Sequence, residues 1–131
     1  MTAELTVLVL AALLAVGQLC WMAVRANLEI GPAYFLTPRD GEPPQPMSIG
    51  LGRLKRAYQN HIETLPLFAV AVLALTLADK GSGLTAALAW LYLGARVLFV
   101  PAYLFGWTPW RSLIWAAGFL ATVLMLLAAL V

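Results

Sequence analysis

Residues 5–24 read LTVLVLAALLAVGQLCWMAV, an unbroken apolar run in which Gln18 is the only strongly polar side chain. About 20 mostly apolar residues are what a helix needs to cross the hydrocarbon of a bilayer. Met1 to Glu4 ahead of it carry no basic residue, and the run is longer than the apolar core of a secretory signal, so it reads as a retained span. Cys20 inside the run is the chain's single cysteine, which excludes an intrachain disulfide and reads as a packing residue. The whole chain fits this reading. Its 131 residues are 63% hydrophobic and 11% charged, about half the charge density of a water-soluble domain. A net charge of +2 is too small to point to a nucleic-acid partner, and none is expected.

Three further spans follow. Residues 25–50 are polar and contain Pro32, Pro38, Pro43, Pro44 and Pro46, a density that predicts a surface loop without regular helix. The second span is predicted over 51–78. Its purely apolar part, Leu65 to Ala78, is too short to cross alone, so the polar turn around Asn60 and Glu63 must lie below the headgroups. Asp79 to Gly83 make a tight turn, the third span covers 84–105 with Arg96 and Pro101 inside it, Gly106 to Trp110 make the last turn, and the fourth span covers 111–131. The expected architecture is an all-α integral membrane protein, one four-transmembrane-helix bundle over residues 1–131.

Basic residues set the expected orientation. Arg25, Arg39, Arg53, Lys55 and Arg56 border or occupy the first loop and Arg111 the third, whereas the second loop has Lys80 offset by Asp79. The positive-inside rule then places loops one and three in the cytoplasm and both termini outside. Trp21, Tyr34, Trp107 and Trp110 fall at the same face, where interfacial aromatics belong.

The polar residues within the spans are patterned. At 100° per residue Arg53, Arg56, Asn60 and Glu63 occupy an arc of about 80°, with Lys55 and His61 pointing elsewhere. Tyr92, Arg96, Phe99 and Tyr103 form a second stripe within about 60°. Both stripes are expected to face the inside of the bundle. Counted from the connecting turn, Glu63 and Arg96 lie at similar depth, about 24 and 20 Å along antiparallel helices. An intramembrane ionisable residue usually finds a partner, which predicts a Glu63–Arg96 ion pair. Such a pair can simply join two helices. The full set of Arg53, Arg56, Asn60, Tyr103 and Arg111 exceeds what one carboxylate neutralises, and reads as a site for a small anionic ligand held between helices. His61, off the stripe, reads as interfacial packing. There is no Cys/His cluster for a metal, no glycine-rich phosphate loop and no nucleophile triad, so no metal is expected.

The stretch Arg53-Leu54-Lys55-Arg56-Ala57-Tyr58-Gln59-Asn60-His61-Ile62-Glu63-Thr64-Leu65-Pro66-Leu67-Phe68 resembles the second-helix signature of the MAPEG family, membrane-associated proteins in eicosanoid and glutathione metabolism. Ala95-Arg96-Val97-Leu98-Phe99-Val100-Pro101-Ala102-Tyr103, followed by Arg111-Ser112, is similar to that family's later helices, and its prostaglandin E synthase branch has the same Arg-Ser pair. The resemblance spans essentially the whole chain and is to a bacterial-type member. It implies a homotrimer with glutathione as co-substrate, bound between neighbouring subunits near the cytoplasmic face. It further implies that Arg25, Arg56, Asn60, Glu63 and Tyr103 contact glutathione and that Arg111 does so at the start of the last helix, with Arg53 in a structural or electrostatic role. Two positions depart from the family. Phe99 stands where the eicosanoid enzymes carry a hydrogen-bonding Tyr or His, and Thr64 where the leukotriene-forming branch has Tyr, so the eicosanoid substrates do not carry over.

The reactive form of glutathione is its thiolate, and a guanidinium beside the sulfur lowers the thiol pKa. Arg111 is the candidate for that task, with the Ser112 hydroxyl as second donor; Arg111 can equally anchor the last helix at the interface. The expected activity is a glutathione transferase or peroxidase-like reaction on lipophilic electrophiles that arrive from the surrounding lipid. The alternatives are a catalytically silent accessory subunit of the same family and, less favoured because Glu63 is accompanied by so many cations, a small four-helix transporter.

Overall fold

The computed structural model describes all 131 residues. Five helices follow one another with no strand: α1 (Ala3–Glu29), α2 (Pro32–Phe35), α3 (Ile49–Leu77), α4 (Gly83–Leu104) and α5 (Trp110–Leu130). The four long ones are each apolar and long enough to cross a membrane. Three of the four starts carry hydroxyl caps, Thr2 accepting from the Leu5 amide, Ser48 from Leu51, and Ser82 with Thr85 in a reciprocal capping box, while α5 begins after Pro109 without one. Around the bundle, α1 touches α3 and α4, α5 touches the same two, and α1 and α5 do not meet. Helices α3 and α4 therefore occupy the short diagonal.

The first loop is shorter than the sequence predicts. Helix α1 continues through Glu29, and a four-residue helix, α2, follows at Pro32. Arg25 and Glu29, one turn apart, form the chain's only ion pair at 2.8 Å, which supports the added turn. The same Glu29 carboxylate accepts from Ser48 Oγ at 2.9 Å, tying the end of α1 to the start of α3. The helix stops where Gly31 takes φ +102°, and Pro32 sits in the first turn of α2, where its missing N–H removes no helical bond. Residues 37–48, which hold the remaining loop prolines, are irregular as expected.

Packing reverses the pattern of a soluble protein. Val9, Leu13, Val16, Leu98 and Leu127 are exposed on the outside, where lipid is their solvent. The buried core joins Val7 and Ala11 of α1, Phe68, Ala71 and Val72 of α3, Ala89 and Tyr92 of α4, and Ala121 and Met125 of α5. The alanines bring the backbones close, which is how membrane helices gain contact area. Phe68 and Tyr92 stack at 3.9 Å with an interplanar angle of 5°. His61 is buried in the α1–α3 seam rather than lying at the interface; its Nε2 hydrogen donates to the Ala11 carbonyl at 2.8 Å, since a carbonyl can only accept. Glu4, to which the sequence reading assigned no role, is also buried, and accepts from the Thr85 hydroxyl to pin α1 to the start of α4. Lys80 reaches back to the Ala129 carbonyl at 2.9 Å and closes the end of α5.

At Gly118, α5 passes close to α4. A Cβ added there would meet Ala95 Cβ at 3.3 Å. Gly118→Leu is accordingly expected to force the two helices apart and to lower stability in detergent by about 1–3 kcal/mol. A thermal melt of the variant that matched the wild type would show that this contact is looser than the geometry implies.

Candidate functional site

At the end of the bundle that carries the basic first loop, α3, α4 and α5 diverge around a cleft of about 350 Å³. Helix α3 contributes Arg56, Gln59, Asn60 and Glu63, α4 contributes Phe99 and Tyr103, and α5 contributes Arg111, Ser112 and Trp115. Helical repeat explains the α3 wall, because residues three and four apart share a face. Six residues picked from sequence, Arg56, Asn60, Glu63, Tyr103, Arg111 and Ser112, thus line one cavity.

Tyr103 is the hub of the cleft. Arg56 Nε donates to its hydroxyl oxygen at 3.0 Å, which leaves the phenolic hydrogen free to be donated. The Arg111 guanidinium carbon lies 4.7 Å from the Tyr103 ring centroid and that of Arg56 lies 5.7 Å away, both within cation–π range. Arg111 therefore folds back over the cleft rather than out toward the headgroups. Phe99 meets the Tyr103 ring edge-on at 5.7 Å and offers no hydrogen bond. Two guanidinium groups and one carboxylate give the walls a positive balance. Behind Phe99 lies a further cation, Arg96, 4.5 Å from that ring and 3% exposed.

The predicted Glu63–Arg96 ion pair is not formed. Arg96 Nη1 instead donates to Asn60 Oδ1 at 2.9 Å, and Glu63 takes part in no ion pair. Asn60 and Glu63 are separated by about 60° around α3. Asn60 faces α4, while Glu63 turns to the mouth of the cleft and is exposed in the single chain. The α3 stripe thus borders an open cleft more than the bundle interior. Arg96 Nε and Nη2 and the Tyr92 hydroxyl, all buried, have no partner within the chain.

Two other basic residues stand elsewhere. Arg53 donates to the Leu104 carbonyl at 3.0 Å and caps the end of α4. Arg25 is engaged with Glu29 and does not line the cleft of its own chain. Conversely, Gln59 and Trp115 line the cleft and were not picked from sequence. Gln59 lies three residues after Arg56 and Trp115 four after Arg111, so extending each stripe by one helical neighbour would have found both. Trp115 stacks on Phe119 at 4.9 Å, which carries an aromatic surface from the cleft along α5 toward the middle of that helix.

The MAPEG family model matches residues 4–131. No curated protein and no solved structure matches the chain.

Proposed function

The chain belongs to the MAPEG family of glutathione-related membrane proteins, and from that premise we propose that it is a membrane glutathione transferase or peroxidase-like enzyme acting on lipophilic electrophiles. The observation that carries this reading is the convergence of Arg56, Asn60, Glu63, Tyr103, Arg111 and Ser112 on one cleft. Its donor set suits glutathione. Arg56 supplies a fork for a carboxylate, the Asn60 amide bonds the peptide, and Glu63 accepts from the ammonium group. The volume of about 350 Å³ falls in the range of ordinary small-molecule sites, roughly 300–1,000 Å³.

In this reading Arg111 stands by the sulfur and holds it as thiolate, while the Tyr103 hydroxyl and Ser112 orient it. In conjugation the sulfur lone pair forms a bond to the electrophilic carbon. The leaving group, or the oxygen of an opened ring, departs with the electron pair and is then protonated. Trp115 and Phe119 supply an apolar approach for the electrophile. Arg25 can serve only at the cleft of a neighbouring subunit, which accords with a homotrimer that binds glutathione between subunits. The cleft then faces the cytoplasm, with both termini outside. Glu63 shares its walls with Arg56 and Arg111, an arrangement poorly suited to exporting cations.

Calorimetric titration of the detergent-solubilised protein tests the reading directly. Glutathione is expected to bind saturably; Arg56→Ala is expected to weaken it about tenfold or more, the loss of a hydrogen bond to a charged group, and Asn60→Ala about threefold or more, the loss of a neutral one. Absence of binding at millimolar glutathione would favour a catalytically silent accessory subunit, consistent with Phe99 offering the ligand no hydrogen bond.

A further inference from the structure

A second cavity of about 460 Å³ lies near the same end of the bundle, between the end of α1, α2 with its loop, and the start of α3. It shares no lining residue with the cleft. Its interior is apolar, formed chiefly by Met22, Ile30, Phe35, Met47 and Leu51, and two cations, Arg39 and Lys55, stand in its wall. Arg39 sits in the left-handed region (φ 64°), which turns the chain back so that its guanidinium lies 4.9 Å from the Phe35 ring centroid. Neither cation has an acidic partner: the carboxylates nearby in sequence are Asp40 and Glu42, neither in an ion pair, and Glu29, which is taken by Arg25. Met22 directly follows Trp21 at the edge of the first apolar run, so the cavity lies at headgroup depth.

An apolar chamber walled by unpaired cations at that depth complements a ligand with an anionic head and an apolar tail. We propose that this cavity binds an anionic phospholipid, with its phosphate at Arg39 and Lys55 and the start of an acyl chain against Met22, Ile30 and Phe35. Basic pockets between membrane helices recognise anionic headgroups in this way, and the methionines give the apolar wall an adaptable shape. The site is independent of glutathione and of catalysis.

Native mass spectrometry of the full chain in mixed micelles tests this, with equal amounts of phosphatidylglycerol and phosphatidylcholine of the same acyl chains. The wild type is expected to retain one phosphatidylglycerol per chain, with a preference over phosphatidylcholine of about fivefold or more. Arg39→Ala and Lys55→Ala should each reduce that preference severalfold. Ala26→Trp, which fills the chamber and leaves both cations, should abolish retention. Lys80→Ala removes the same charge at the opposite end and should change nothing. Lys55 is exposed, so its variant remains informative if the others fold poorly. Equal retention of the two lipids, a preference that survives Lys55→Ala, or displacement by glycerol phosphate without an acyl chain would each overturn the proposal.

Discussion

Arg111→Ala is expected to lower turnover with a small lipophilic electrophile by about 100-fold or more, while glutathione affinity stays within a few-fold of the wild type. Arg111 lies in the first turn of α5 and its guanidinium sits over Tyr103 inside the cleft. Two sources of positive potential thus coincide, the side chain and the N-terminal end of the helix dipole. Both favour a thiolate over a thiol. In the proposed binding mode Arg56, Asn60 and Glu63 remain to hold the rest of the tripeptide, so the variant should bind but react slowly. A loss confined to the rate marks an interaction made with the reacting sulfur. The ultraviolet thiolate absorbance of the bound complex, followed across pH, reads this out: the titration should move to higher pH in Arg111→Ala. An unmoved titration would reduce Arg111 to an anchor of the last helix.

The second large effect concerns Arg96. Its guanidinium is 3% exposed, and its one hydrogen bond within the chain goes to Asn60. Asn60→Ala leaves that buried cation with no acceptor, and is expected to destabilise the ligand-free protein by about 1.5–3 kcal/mol. Arg96→Met keeps the length of the side chain and removes the charge. A buried ionic group replaced by a well-packed apolar one often leaves stability unchanged or raised, so Arg96→Met should be near neutral, and Asn60→Ala/Arg96→Met more stable than Asn60→Ala alone. Unfolding in mixed micelles without glutathione separates this from ligand binding. A harmless Asn60→Ala, or an Arg96→Met as damaging as Asn60→Ala, would show that Arg96 is held by other groups.

The first of these expectations rests on a contact that sequence leaves open. Pro109 and the turn before it permit Arg111 to point either into the cleft or outward, and the choice depends on where Tyr103 stands on α4. The second rests on a contact that sequence reading placed wrongly. Counting residues along two helices gives the expected depth of Glu63 and Arg96. Facing does not follow so simply. A rotation of about 60° is enough to give Arg96 to Asn60 and to turn Glu63 outward.

What the sequence by itself determined is local in origin: four apolar spans, the polar turn of α3 within the second of them, and the stripes that place Arg56, Asn60 and Glu63 on one helix face and Tyr103 on another. Hydropathy and the 3.6-residue repeat are properties of neighbouring residues and need no fold to be read. Tertiary structure alone decided the rest. It set Glu29 against Ser48, sent Arg53 to the end of α4 and left Arg25 outside the cleft of its own chain. Each of these depends on how far one helix is rotated and shifted against another, a quantity set by the packing of small residues such as Gly118 against Ala95, which no single helix encodes.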